Sequence, residues 1–391
     1  MTPSNEIIHR TSQYKYLGVV MYEDGKVKPY IQNRTQSSIN TMGMLHDAEL
    51  LHPEVSLECR LLPYTSLVLP IMTYGCQTLF YGTDLTFAEI NEYYEKRHHN
   101  CIRQLLHSPC SKTCVDWMMA EAGQRPIIYY TAMHAFSFYA RMFSADSMIP
   151  AYQVYDRMWQ MATHPHASGA HPNKMYHSCY VQQITQLADR FGINIDNVTV
   201  NWISNMKRSM TQHWHAAWLT NMTATPTASW RQIYLNIKQT PTIEDHMKAL
   251  THPVADALHK LRGPHYPFQR HIANTTQAPA TCILCDTETD EDTIHLLLQC
   301  PAYTHRKAIA KQLNSIIERY DKTIQQEVIR YYSNSESNLI QSARILSRII
   351  PPTPNDLRSA PWKRLWQGIF EVLDDHIYIM ISQRDKQLRK T

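Results

Sequence analysis

The run Cys282-Ile-Leu-Cys285, nine further residues, then His295-Leu-Leu-Leu-Gln-Cys300-Pro301 decides how the C-terminal half of this chain is read. Three of the chain's nine cysteines and one histidine fall within these 19 residues. Zn²⁺ takes four thiolate or imidazole ligands in a tetrahedron, roughly 2.0–2.3 Å from the metal. A Cys-x-x-Cys pair sets two thiolates on one tight turn as a chelating bite. A His and a Cys on a following helix and at its end close the site. The order Cys-Cys-His-Cys fills the shell and leaves no place for water, so it implies one structural zinc ion, not a catalytic one. Pro301 fits a helix stop beside the last ligand, and Asp290-Glu-Asp292 puts acidic residues where they suit a helix N-terminus. The competing reading, cysteines that are only small buried hydrophobes, leaves the spacing unexplained.

Outward from this module the apolar spacing is helical. After it come helices over about 304–332 and 337–349, a Pro-Pro-Thr-Pro break at 351–354, and a last helix over about 361–388. Before it lies a helical block over 180–262, marked by Trp202, Trp214, Trp218 and Trp230 and ended by Arg262-Gly-Pro-His-Tyr-Pro. Pro, Gly, Asn and Ser cluster at 163–178 and suggest a linker. Upstream, helices are expected over 27–51, 53–74, 86–106 (with an N-cap near Asp84), 112–122 and 126–143; Ile31, Ile39 and Met42 lie near one face of the first. Residues 14–22 are rich in β-branched and aromatic types, and Glu23-Asp24-Gly25-Lys26 is a turn signal, so a short β-hairpin is expected there. The expected fold class is mostly α: an N-terminal hairpin (1–26), a helical bundle (27–160), a linker (161–179), a helical connector (180–270), the Cys/His module (271–310) and a helical C-terminal region (311–391).

Composition narrows the function. Glycine is 10 of 391 residues, where average usage of ~7% gives about 27. No G-x-G-x-x-G and no G-x-x-x-x-G-K-[ST] occurs, so a glycine-cradled phosphate site is excluded. An odd number of irregularly spaced cysteines does not read as a secreted disulfide framework. The two most apolar stretches, 61–72 and 127–143, are interrupted by Pro63 and Pro70 and by Thr131, His134, Ser137 and Arg141, so neither reads as a membrane span. With no apolar leader after Met1, the expected setting is intracellular, nucleus or cytoplasm, with no membrane partner. Lys and Arg number 38 against 34 Asp and Glu, a net charge of +4. That is compatible with nucleic acid without pointing to it.

The module resembles the C-terminal zinc module of non-LTR (LINE-type) retrotransposon reverse transcriptases: Cys-x-x-Cys, an acidic loop, His-Leu-Leu-Leu-x-Cys-Pro-x-Tyr and then Arg306. Arg262-Gly263 resembles, without its middle residue, the Arg-x-Gly ahead of that module. Tyr16-Leu-Gly-Val19 with Asp24-Gly25 resembles the strand that closes the polymerase palm. The segment Leu61 to Gly75, ending Thr-Tyr-Gly, resembles the thumb helix, and Arg97–Leu106, Glu121-Ala-Gly123 and Pro126 resemble the rest of the thumb. The matches keep the family's order across 8–143 and 250–307.

The resemblance implies a thumb, a connector and a zinc module that hold template RNA or target DNA. It implies no polymerase activity here, because the aromatic-x-Asp-Asp strand that carries the catalytic metals is expected upstream of Tyr16, and the 15 residues before Tyr16 contain no Asp. Leu373-Asp374-Asp375 imitates that motif after the module, in a helical context. Candidate nucleic-acid contacts are Lys260, Arg262, Arg270, Arg306 and Lys307, which flank the zinc ligands Cys282, Cys285, His295 and Cys300. Tyr266, Phe268 and Tyr303 are candidates to stack on bases. From 251 to 311, six basic residues face six acidic ones, so the module is not strongly basic. Two other readings stay open: a zinc-stabilised helical module that docks protein partners, and a non-functional remnant of an element. A second metal site among His98, His99, Cys101, His107, Cys110 and Cys114 lacks a regular bite. Thumb helices normally bury one face against a palm, so Leu67, Leu69, Ile71 and Met72 are expected to be exposed, or covered by a partner chain.

Overall fold

The computed structural model describes residues 11–16, 18–24, 26–52, 54–77, 87–107, 114–144, 148–163, 180–199, 201–224, 229–244, 252–263, 279–285, 287–303, 305–333, 337–347, 351, 353–354 and 357–388. Among them the chain is mostly α, with one two-stranded antiparallel sheet at the N-terminal end. No helix among the described residues is long and apolar enough to cross a membrane. The chain forms two compact units that interleave in sequence, unlike the contiguous blocks read above. One takes Met1–Leu51, Arg60–Ile102 and Arg125–Ala217; the other takes His52–Cys59, Arg103–Gln124 and Trp218–Thr391.

In the first unit, β1 (Gln13–Tyr16) pairs with β2 (Val19–Tyr22), with Tyr16 opposite Val19. The hairpin therefore closes between Tyr16 and Val19, with Gly18 at φ +84, and not at Glu23-Asp24-Gly25-Lys26. That second signal instead leads into α1, with the Lys26 amide donating to Asp24 Oδ1 at 3.1 Å. Helix α1 (Lys28–Asp47) buries Tyr30, Ile31, Ser38, Met42 and Leu45. Ile39 is 40% exposed, since it sits about 100° around the helix from Ser38.

Helix α2 (Leu57–Pro63) ends at a proline, a π-helical turn covers Tyr64–Val68, and α3 (Leu69–Thr73) begins with Pro70 near its start. Each proline lacks an amide donor, so one continuous helix is broken into three pieces. Helix α3 packs on α1, which buries Leu69 and Met72 and leaves Leu67 at 49% exposure. The apolar patch expected on this segment is therefore half internal. Helices α4 (Phe87–Leu105), α6 (Ile127–Phe143), α7 (Pro150–Thr163) and α8 (Tyr180–Phe191) follow. An aromatic core of Phe136, Tyr139, Tyr155, Tyr180, Phe191, Trp202 and Trp214 binds α6 and α8 to the start of α9 (Trp202–Thr223).

The second unit holds α5 (Val115–Glu121), α10 (Ser229–Ile237), α11 (His252–Arg262), α12 (His305–Ile317), α13 (Lys322–Ser333), α14 (Asn338–Ser347) and the long α15 (Ser359–Leu388). Trp362, Leu365, Trp366, Ile369 and Leu373 recur at helical spacing on α15 and bury one stripe against Ile324 and Val328 of α13. Further along α15, Ile377 and Ile381 join Leu258 and Leu261 of α11, Leu346 of α14 and the Cys/His segment in one core. The Asp pair is on this helix, with Asp374 buried at 9% exposure and Asp375 at the surface. Most of the expected linker, 164–179, lies outside the described residues, as do Asp84, Cys110, Tyr266, Phe268 and Arg270.

Candidate metal centre

Two short backbone pieces build the site. Residues 280–282 and 289–291 form a minimal antiparallel ladder: the Cys282 amide donates to the Thr289 carbonyl at 3.0 Å and the Glu291 amide to the Ala280 carbonyl at 2.8 Å. The loop between them carries Cys282 and Cys285 on one knuckle, where the Leu284 amide points at Cys282 Sγ from 3.5 Å. The second piece is a π-helical turn, His295–Gln299, started by Asp292, whose Oδ1 accepts the His295 amide at 2.9 Å.

The π-turn is what makes the second pair of ligands a pair. In an α-helix five residues advance by about 500°, which leaves positions i and i+5 about 140° apart. Here the Cys300 amide donates to the His295 carbonyl at 2.7 Å, an i→i+5 bond that widens the turn. His295 and Cys300 then fall on the same side. The sequence reading placed them on an ordinary helix and at its end, and the four-residue gap in His-Leu-Leu-Leu-Gln-Cys was the signal for the wider turn.

Four ligand atoms, one each from Cys282, Cys285, His295 and Cys300, lie within 4.8 Å of one another. Cys282 Sγ and Cys300 Sγ are 3.8 Å apart, and Cys285 Sγ is 3.4 Å from His295 Nε2. A tetrahedron with metal–sulfur bonds of about 2.3 Å has S···S edges of about 3.8 Å and S···N edges of about 3.6 Å. A disulfide needs about 2.05 Å. The arrangement can therefore hold one metal ion and is compatible with zinc. It is the group of this kind among the described residues.

Burial pushes the Cys282 thiol up to about 12 and raises that of Cys300. Cys285 sits nearer solvent; burial opposes its ionisation too, but the Thr287 hydroxyl 2.8 Å away holds it below the usual thiol range. Burial also lowers the His295 imidazole, which keeps it in the neutral form that binds metal. A metal entering this site must displace protons from two buried thiols.

The surroundings lock the module to its neighbours. Glu291 is fully buried and receives Arg384 of α15 bidentately, Nε to Oε1 at 2.7 Å and Nη2 to Oε2 at 2.6 Å. The Thr293 hydroxyl donates to the Leu261 carbonyl of α11 at 3.1 Å, and the Tyr303 hydroxyl to the Met380 carbonyl at 3.4 Å. Arg306, just after the last ligand, donates through Nη1 to the Leu298 carbonyl at 2.8 Å and through Nη2 to the Leu296 carbonyl at 3.2 Å.

The expected nucleic-acid contacts divide sharply. Arg262 is wholly buried and paired with Glu244 and, at 3.7 Å, with Glu121, so it is not a phosphate contact in this conformation. The surrounding cluster explains why the sequence misled. Glu121 Oε1 accepts from the Tyr234 hydroxyl at 2.7 Å and lies 3.4 Å from Lys238 Nζ, while Oε2 meets His259 Nδ1 at 2.7 Å. Glu121, Lys238, His259 and Arg262 look like surface charges in sequence, and their mutual pairing is what allows burial. Lys260 is held between Asp256 at 3.0 Å and Asp385 at 2.9 Å. Arg306 is half-buried on its carbonyls, and Lys307 is exposed. Arg270 lies outside the described residues.

His98 and Cys101 lie in the core, and among the described residues they belong to no group that could hold a second metal ion. His98 Nε2 donates to the Arg125 carbonyl at 2.9 Å while Nδ1 faces the Tyr64 hydroxyl, and Cys101 is fully buried. Comparison with protein-family models, curated proteins and solved structures finds no match for this chain.

Proposed function

We propose that this chain is a nucleic-acid-binding part of a non-LTR retrotransposon reverse transcriptase, carrying its thumb, connector and zinc module without the catalytic palm. The observation that carries the reading is motif order: the Tyr16-Leu-Gly-Val19 motif, the segment ending Thr-Tyr-Gly75, and the Cys-Cys-His-Cys module follow one another as in that family. The gathering of Cys282, Cys285, His295 and Cys300 to a tetrahedral bite supports the last of these. The ion is zinc, and it is structural, because four protein ligands fill its shell. Metal analysis should return close to one zinc per chain, and Cys282→Ser or His295→Ala should abolish it.

The chain holds template RNA or target DNA through exposed basic side chains such as Lys307, and it does not extend primers. Binding of single-stranded RNA and of duplex DNA, measured by gel shift from low to high salt, tests this. Tight binding that weakens steeply with salt supports the reading. Absence of binding at low salt favours a second one, a zinc-stabilised module that docks protein partners. A specific observation speaks for that alternative: Arg262 is buried on its carboxylates, and Lys260 and Arg306, both partly buried, are engaged by partners within the chain. Primer extension with deoxynucleotides by the purified chain would overturn the absence of polymerase activity.

A further inference from the structure

We infer that Arg306 is a positioning residue of the metal centre, acting as its counter-charge and as the clamp on its π-turn. The inference rests on the zinc reading above and concerns what the rest of the chain must supply once the ion is bound.

Charge comes first. Zn²⁺ with three thiolates and one neutral imidazole carries a net charge of about −1. Cys282 and Cys300 are buried, and His295 is 2% exposed. A net charge in that setting is costly unless an opposite charge lies close. The acidic loop worsens the problem. Asp292 is 9% exposed beside His295 and spends one oxygen on the His295 amide. Glu291 is paired with Arg384.

Arg306 is the cation placed to answer this. It is half-buried, it forms no ion pair with a carboxylate among the described residues, and its guanidinium is held on two carbonyls of the turn that runs from His295 to Cys300. Its two Nη groups are spent on the carbonyls of Leu296 and Leu298. Those carbonyls belong to the turn that sets His295 and Cys300 on one side. In an α-helix they would accept amide bonds from within the helix, and the π-turn together with the stop at Pro301 frees them for a side chain. One guanidinium therefore does two things: it satisfies the carbonyls that the widened turn exposes, and it puts a positive charge on the turn that carries His295 and Cys300. Arginine suits this because its planar fork offers several donors at fixed angles and stays charged when buried. A half-buried arginine with no carboxylate partner, beside a site that gains negative charge on loading, has its partner in the loaded centre.

The two contributions separate by substitution in the full-length chain. Arg306→Lys keeps the charge and loses the fork. Arg306→Gln keeps an N–H donor and loses the charge. Arg306→Met loses both. Zinc affinity is measured by competition with a chromophoric chelator, and loss of partners of this kind costs roughly 10–100-fold. The expected order of affinity is wild type, then Lys close behind, with Gln and Met lower by that factor. The rate at which iodoacetamide alkylates the zinc-bound thiolates should rise in Gln and Met and stay near wild type in Lys. A purely mechanical clamp gives a different order, with Lys and Gln equal and Met lowest, and leaves alkylation following affinity alone; that result overturns the charge role. Zinc affinity unchanged in Gln and Met overturns the inference altogether while leaving the zinc site standing. Wild-type chain without stoichiometric zinc removes both. Should Met fail to fold by circular dichroism, the Lys and Gln pair still decides.

Discussion

Arg384→Met strips the fully buried Glu291 carboxylate of its bidentate partner, across a fork of 2.7 and 2.6 Å. Both side chains are 0% exposed, so water cannot take the place of the lost guanidinium. Breaking a buried pair by removing one member costs about 3–5 kcal/mol, whereas replacing both members by apolar groups of similar size is often near neutral. In a unit of some 150–250 residues each kcal/mol moves the melting temperature by about 2–4 °C. The expected fall for Arg384→Met is therefore roughly 6–20 °C. Trp362 and Trp366 lie on the same helix as Arg384, so tryptophan fluorescence during a thermal melt reports on the element concerned. The double variant Glu291→Leu/Arg384→Met should recover most of the loss. A single variant that melts within about 2 °C of wild type, or a double variant no better than the single, would refute the claim that this pair closes the module against α15.

Three further outcomes follow from the same interior. Burial pushes the His98 imidazole down to about 4, so the unfolded chain binds a proton below about pH 6.5 that the folded chain refuses. Stability of the first unit is full above that pH and declines toward pH 4 by up to about 3 kcal/mol; His98→Gln should flatten this slope in urea titrations at stepped pH. Burial alone would raise Glu121, but Arg262, Lys238 and His259 hold it well below the usual carboxylate range. Its contribution is present above about pH 4.5 and lost only in stronger acid, so Glu121→Gln should lower the melting temperature at pH 7 and remove part of the acid transition below pH 4. At Gly75, with φ +68, an added Cβ would lie 2.7 Å from Tyr30 Oη and 2.8 Å from Val19 Cγ2. Gly75→Ala should cost about 1–3 kcal/mol, read as a shifted urea midpoint.

Helix periodicity carried most of the fold into the sequence. The expected 126–143 and 361–388 are Ile127–Phe143 and Ser359–Leu388, because apolar residues repeat at 3–4 spacing and capping or proline signals bound them. The misplaced hairpin turn shows the limit. Two glycine-containing turns lie seven residues apart, and only the pairing of Tyr16 with Val19 selects the first. The four residues that could hold a metal ion were legible because chelation demands short spacings within one stretch. Arg262 was not legible as an interior residue, because its partners Glu121 and Glu244 are distant in sequence. A long-range ion pair leaves no local pattern; an arginine beside a metal module reads as a phosphate contact until its carboxylates are located. The π-turn lies between these cases, written in the His-x4-Cys gap yet read as ordinary helix.

The fork between Glu291 and Arg384 joins positions 93 residues apart. At about 5–20 residues per second of synthesis, roughly 5–20 s separate the emergence of the acidic loop from that of its cation. During that interval the Cys/His loop already has its four ligands but not the helix that neutralises its buried carboxylate. Metal can therefore be captured by a nascent chain whose module is still loosely seated. A chain halted with residues 282–300 outside the ribosome and Arg384 still inside it would display an undocked Cys/His loop.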